Sequence, residues 1–456
     1  MNNLLVVAAV IIFYFVVYPL IDFIISLLSF SRKKDISYFF DRDGRIKVYH
    51  GVNVCNYSKW NEDNLPWHTE KDYEKLKEYG FNLVRFVIFW AAIEPERGIY
   101  NNEYISKVKG HISILNKLGI DVILDLHQDL YNKKFSGNGF PDWALPEGDL
   151  PFKPKKKWYL NYFQKSVIKS YSHFWKSESL RSSYIDMLCY VQNQFVGTNN
   201  VIGIDVMNEP FPKIPPLLFF ESCTLYNFYQ RIDMEMKEKR AVIPMYYEPA
   251  IYTSAGIPTK LCGRVGMTLK KFIPHYYPPF CHYEGTYNRF NKFLMSFALK
   301  CKAMEASKMH SPYIIGEFGI APEVKKRFAA IKDFLTLSDK YAMSWIWWSY
   351  DKIGHDIQGL LDNDGNPNLV MESLTRAYPQ RISGTKPKWY NDGDRFYLEY
   401  IDNDVKANPT EIYIPGKIID IISNTSFVLD NEDRGVRKFY TKEKGKQKIE
   451  IIWRST

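Results

Sequence analysis

A chain of 456 residues, 46% of them apolar, has room for one large domain with a smaller one attached. Its net charge of +9 is scattered, apart from runs at Arg32-Lys33-Lys34 and Lys153–Lys157, and no nucleic-acid-binding motif accompanies it, so no nucleic-acid partner is expected. The 6 cysteines form no CxxC and no metal-ligand spacing, which argues against a structural zinc; Cys223, Cys262, Cys281 and Cys301 lie close enough in sequence for one or two disulfides, and free thiols fit equally well.

The first element in chain order is the run Leu4 to Phe30, almost entirely apolar and broken by Pro19 and Asp22. A bilayer-spanning helix needs about 20 residues, which Leu4–Ile21 approaches, whereas a signal-peptide core runs to about 15. An N-terminal hydrophobic helix within residues 1–34 is therefore expected, as an anchor or, if cleaved, a signal. Arg32-Lys33-Lys34 after the run would hold that side in the cytosol by the positive-inside rule. The sequons Asn56-Tyr57-Ser58 and Asn424-Thr425-Ser426 favour the other side. The reading adopted is a membrane-associated chain with its main domain lumenal or extracellular, secreted if the segment is removed.

Residues 35–380 alternate short apolar runs with helical stretches. The runs Lys47–Asn53, Asn82–Phe89, Asp121–Leu126, Ile202–Met207, Ala241–Tyr247, Lys271–Tyr276, Tyr313–Glu317 and Ala342–Trp348 read as strands. Helix-like segments lie at Glu70–Tyr79, Asn102–Lys117, Tyr159–Gln194, Leu225–Glu238, Asn288–Met309 and Lys325–Lys340. This alternation predicts an α/β fold, a (β/α)8 TIM barrel with its active site where the strands end. Residues 381–456 change texture to short alternating runs without a clear helix, which predicts a C-terminal all-β sandwich domain.

Two strand ends carry the chemistry. Asp205-Val206-Met207-Asn208-Glu209-Pro210 and Ile314-Ile315-Gly316-Glu317-Phe318-Gly319 each deliver one glutamate from an apolar run to the rim. Two carboxyls facing each other across a cleft are the machinery of glycoside hydrolysis. Glu317 as an ionised nucleophile needs donors, for which Arg85 and Tyr277 are the candidates. Glu209 as the acid must hold a proton at rest. Asn208 can bond a substrate hydroxyl, and His127 and Asp129, directly after a strand, can bind sugar hydroxyls. His275-Tyr276-Tyr277 offers a polar clamp. Trp345-Ile346-Trp347-Trp348 offers stacking faces, with Trp348 on the face of Ile346 and opposite Trp347; alternation alone does not say which face meets a ligand. The loop Phe211–Phe220 is apolar enough to receive a lipid aglycone. No cofactor or metal ion is called for.

The segment Asp125–Ala144 (DLHQDLYNKKFSGNGFPDWA) resembles the endoglycoceramidase branch of glycoside hydrolase family 5, enzymes that cleave the β-linkage between a glycan and ceramide. His50–Lys59, Val84–Tyr100, Ile202–Pro212 and Trp347–Asp351 extend the resemblance in order over most of residues 45–355. It implies Glu209 as acid/base, Glu317 as nucleophile, and Lys59, His127, Asp129, Asn208 and Trp348 at the first sugar. It places Tyr277 near the nucleophile, with Tyr276 competing for that position. The implied partners are a glycosphingolipid substrate and a membrane surface, with no protein partner. Two alternatives remain at this stage: a β-glucosidase acting on glucosylceramide or a steryl glucoside, and a non-catalytic membrane-anchored glycolipid-binding protein.

Overall fold

The structure is a computed structural model that describes residues 37–212, 219–261, 271–402, 408–424, 426–433 and 435–455. The apolar run before residue 31, positions 213–218 of the loop Phe211–Phe220, Cys262, and Thr425 of the second sequon lie outside the described residues. Among the described residues no helix is long and apolar enough to cross a membrane. Of the candidate disulfide cysteines, Cys281 and Cys301 are free thiols.

Seven strands form one parallel sheet in the order Met245–Tyr246, Val201–Asp205, Asp121–Leu126, Leu83–Ile88, His50–Val54, Ser344–Trp347 and Ile314–Phe318. The predicted strand Lys271–Tyr276 shrinks to a single bridging residue. Phe272 pairs in parallel with both Tyr247 and Tyr313, closing the barrel between the two edge strands. The predicted helix Tyr159–Gln194 is broken into a 3-10 turn, Trp158–Phe163, and two helices, Lys165–Lys176 and Glu178–Phe195. Ser177 caps the second by accepting from the Leu180 N–H (3.3 Å).

The barrel interior is layered. Leu83, Ile123, Ile273, Ile314 and Ile346 form an apolar plug at the bottom. Two residues further along the strand Leu83–Ile88 comes the buried Arg85, and then Val87, which packs with Trp348 at the top. Period-two alternation thus puts Ile346 and Trp348 inside, while Trp345 and Trp347 pack with the surrounding helices.

The C-terminal domain is two antiparallel sheets on one core. Thr385–Asp392, Arg395–Asp402, Gly445–Ser455 and Gly416–Ser423 make one sheet. The other joins Tyr378–Ile382, Thr410–Tyr413, Val436–Thr441 and Phe427–Asp433 to a hairpin from the far end of the chain, Phe39–Phe40 and Ile46–Lys47. The division at residue 380 drawn from the sequence cuts through the strand Tyr378–Ile382, and Lys47 pairs with Arg381. Tyr378 and Tyr413 fasten this domain to the barrel by donating to the carbonyls of Gly80 (2.6 Å) and Glu78 (2.7 Å). Gly80, with φ +80°, must lack a side chain, because a Cβ there would lie 2.5 Å from the Tyr413 ring.

Candidate active site

Ten of the residues singled out from the sequence gather at, or just beneath, the C-terminal ends of the barrel strands. Lys59, His127, Asp129, Asn208, Glu209, Tyr277, Glu317 and Trp348 line one cleft of about 1400 Å³. Arg85 and His275 lie buried beneath it, bonded to residues of that lining.

Arg85 is the hub. Its guanidinium donates to Glu317 (2.7 Å), Asn53 (3.0 Å), Asn208 (3.0 Å), Asp205 (2.9 Å) and Glu248 (2.9 Å), and lies 2.9 Å from Asp125. Burial works against its charge, but Asp125, Asp205, Glu248 and Glu317 outweigh that and hold it protonated.

Glu317 enters the cleft through a register shift. Ile315 pairs with Trp345, but Phe318 pairs with Trp347, so one extra residue bulges out of the strand Ile314–Phe318 at this point. Such a bulge re-aims a side chain. Gly316 beside it leaves room for the imidazole below, since a Cβ there would come within 3.0 Å of His275 Nε2. Tyr277 donates to Glu317 Oε2 at 2.8 Å. Burial, then the nearby Glu317 and Glu209, push the phenol pKa well up, so Tyr277 keeps the proton it donates. Tyr276, the competing tyrosine, is buried in the core instead.

Glu209 sits in the left-handed region at φ 39°, which costs a non-glycine residue about 1–3 kcal/mol. Its backbone is clamped there: the N–H donates to Glu248 Oε2 (2.8 Å) and the carbonyl accepts from Gln128 Nε2 (3.1 Å). Ser254 donates to its Oε1 at 3.0 Å. His275 spans both glutamates, with Nδ1 3.1 Å from Glu209 and 3.5 Å from Glu317, while Nε2 lies 3.1 Å from Glu248. Burial opposes a charge on His275, but Glu248 and Glu317 and its hydrogen bonds raise its pKa well above the usual value. One carboxylate oxygen each of Glu209 and Glu317 lie within 4.8 Å of each other.

The other wall is a polar ladder. Lys59 Nζ donates to Asp129 (2.7 Å) and stands over the Trp348 ring at 4.0 Å. His127 lies between Asp125 (2.6 Å) and Asp129 (3.1 Å), and its ring stacks with Trp348. Burial and Lys59 push the His127 pKa down; Asp125 and Asp129 win, and it ends raised. Burial raises Asp129, yet Lys59 and His127 hold it well below the usual carboxylate range. Asn208 accepts from Arg85 and donates to the Gln128 carbonyl (3.0 Å), which leaves one amide hydrogen for a ligand.

Reasoning from sequence missed Glu248, Asn53, Asp125, Asp205, Gln128 and Ser254. Glu248-Pro249 had a signal: it repeats the strand-end pattern of Glu209-Pro210. Both sequon asparagines are occupied: Asn56 donates to the His355 carbonyl (2.9 Å) and Asn424 to that of Lys446 (2.8 Å). Asp205, Glu248 and His275, and likewise Glu209, His275 and Glu317, are close enough to hold a cation; Arg85 and His275 themselves supply the positive charge facing these carboxylates.

Comparison with known proteins agrees with this geometry. The family Cellulase (glycosyl hydrolase family 5) matches residues 42–232. Endoglycoceramidase I of Rhodococcus hoagii (strain 103S) is 26% identical over 411 residues, 84% of this chain and 80% of that protein. Endoglycoceramidase of Cyanea nozakii is 24% identical over 408 residues, 78% of each. Endo-glycoceramidase II from Rhodococcus sp., solved as a ganglioside GM3 complex, superposes with a TM-score of 0.81 at 26% identity, over 92% of this chain and 100% of that one. Its lactosyl-enzyme intermediate matches with a TM-score of 0.80 over the same shares.

Proposed function

We propose that this chain is an endoglycoceramidase-like glycoside hydrolase of family 5, and that its residues cleave the β-linkage between a glycan and ceramide as follows. Glu317, oriented by Arg85 and Tyr277, attacks the anomeric carbon of the lipid-linked sugar. Glu209 protonates the departing ceramide oxygen, then takes a proton from the water that releases the glycan from Glu317. Lys59, His127, Asp129 and Asn208 bind hydroxyls of the first sugar, whose ring stacks on Trp348. The observation that carries this reading is the approach of the two glutamates to within 4.8 Å. Retaining pairs sit about 5–5.5 Å apart and inverting pairs about 6.5–9.5 Å.

The test is a panel of glycosphingolipids offered to the purified protein. Intact oligosaccharide plus ceramide is expected; cleavage confined to monosaccharide lipids would move the assignment to a glucosylceramidase. Glu317→Ala should abolish turnover. Glu209→Ala should accumulate a glycosyl-enzyme, visible by intact mass, from aryl glycosides whose leaving group needs no proton. The proposal extends to location: the run Leu4–Phe30 holds the chain at a membrane, with the barrel on the lumenal or extracellular side. The length of that run supports this. Protease protection in sealed vesicles tests it, and cleavage of the barrel from the cytosolic face would reverse the orientation.

A further inference from the structure

Around the mouth of the cleft the surface is unusually apolar for one facing water. Phe280 is 80% exposed and Phe163 is 66% exposed, and Trp60, Tyr159 and Ile357 are exposed beside them. Single exposed apolar residues need no explanation; several sharing one rim do. Phe280 heads the turn after Pro278-Pro279, in the left-handed region at φ 66°, where its ring projects outward. Tyr159 and Phe163 belong to the 3-10 turn Trp158–Phe163, which lines the same cleft.

The lysine run immediately precedes that turn. Residues 151–165 hold five lysines and no acidic residue. The run is not a loose tail. Lys155 N–H donates to Asn161 Oδ1 (2.9 Å), and Gln164 receives from Lys153 N–H (3.2 Å) and donates back to its carbonyl (3.0 Å). Lys157 pairs with Glu284 (3.0 Å), which lines the cleft four residues after Phe280. Lys153, Lys155 and Lys156 are exposed, with no ion-pair partner found among the described residues. Exposed lysines on a bonded backbone beside exposed aromatic rings form a surface that suits a bilayer interface: the rings enter the headgroup boundary and the ammonium groups meet anionic lipid.

We propose that this rim, Lys153, Lys155 and Lys156 with Tyr159, Phe163 and Phe280, docks the barrel on an anionic lipid bilayer, so that the cleft mouth opens onto the membrane. The inference rests on the glycolipid reading above for its purpose, but on the rim alone for its chemistry. A docked mouth receives a glycolipid by drawing it a short way out of the leaflet, without its ceramide crossing water.

The experiment is flotation of the full chain with phosphatidylcholine vesicles and with vesicles containing phosphatidylserine, for wild type and for the triple variant Lys153→Gln, Lys155→Gln, Lys156→Gln. The N-terminal run contributes equally to both proteins and cancels in the comparison. Each lysine near an anionic surface is worth about a five-fold change in partitioning, so the preference for anionic vesicles should fall roughly 100-fold in the variant. Its turnover of a soluble aryl glycoside should be unchanged. A second variant, Phe163→Ser with Phe280→Ser, should bind both vesicle types less. An anionic preference that survives the triple substitution overturns the proposal, as does unaltered binding by the double variant. Hydrolysis of glycolipid in neutral detergent micelles reports separately on the proposed function, so failure of that reading and failure of docking are distinguishable.

Discussion

Replacing His275 with asparagine probes the charge balance of the site most directly. The imidazole is fully buried, 3.1 Å from Glu209, 3.1 Å from Glu248 and 3.5 Å from Glu317. At an effective dielectric constant of about 20, each ionised partner at such a distance attracts an imidazolium by about 5 kcal/mol. Desolvating the ions costs several kcal/mol apiece, so the net loss on removing one partner of a buried set is about 3–5 kcal/mol. The pH dependence follows from the raised pKa. A folded-state pKa above the unfolded value of about 6.5 stabilises the protein fully below that value and progressively less as pH rises through the folded one. The stability gap between wild type and His275→Asn should therefore be widest near pH 6, several degrees in thermal midpoint, and narrow as the pH is raised toward 10. Tryptophan fluorescence during heating measures it. Because His275 also fixes Glu209, kcat/KM should fall about 100-fold. A stability gap that is the same at pH 6 and pH 10 would refute a charged His275 and the balance built on it.

Tyr277→Phe removes a 2.8 Å donor to Glu317 and nothing else in contact with it; a hydrogen bond to a charged group is worth about 1.5–3 kcal/mol, so kcat/KM should drop roughly 10- to 150-fold with the fold intact. Lys59→Met breaks the pair with Asp129 and the stacking over Trp348; KM should rise more than kcat falls, and loss confined to kcat would place Lys59 outside the sugar site. Gly139→Ala should lower the thermal midpoint sharply, because φ is +110° there and a Cβ would lie 2.3 Å from that of Gln128; an unchanged midpoint would mean that this turn relaxes freely.

The strands carrying long apolar runs were legible, as were the glutamates that end two of them, because burial on both faces leaves a near-continuous hydrophobic signature. What failed was anything set by partners distant in sequence. Phe272 closes the barrel by two bridges, with no strand of its own to announce it. The extra residue that turns Glu317 inward is a matter of register with the strand Ser344–Trp347, invisible within either segment. Trp348 lines the cleft and Trp347 faces the helices, a choice that alternation posed and only the apolar plug around Ile346 decided. Glu248 ends a strand before a proline just as Glu209 does, but its partners Arg85 and His275 had to be brought together before its part in the site showed.

The clasp between Lys47 and Arg381 has a consequence for biosynthesis. At about 5–20 residues per second, a ribosome spends roughly 20–70 s between making one side of that pairing and the other. Through that interval the hairpin Phe39–Phe40 and Ile46–Lys47 has an open edge and no neighbour to cover it. Nascent chains stalled anywhere in the barrel should accordingly recruit chaperones at their leading end, and a fragment ending before residue 378 would expose that same edge permanently.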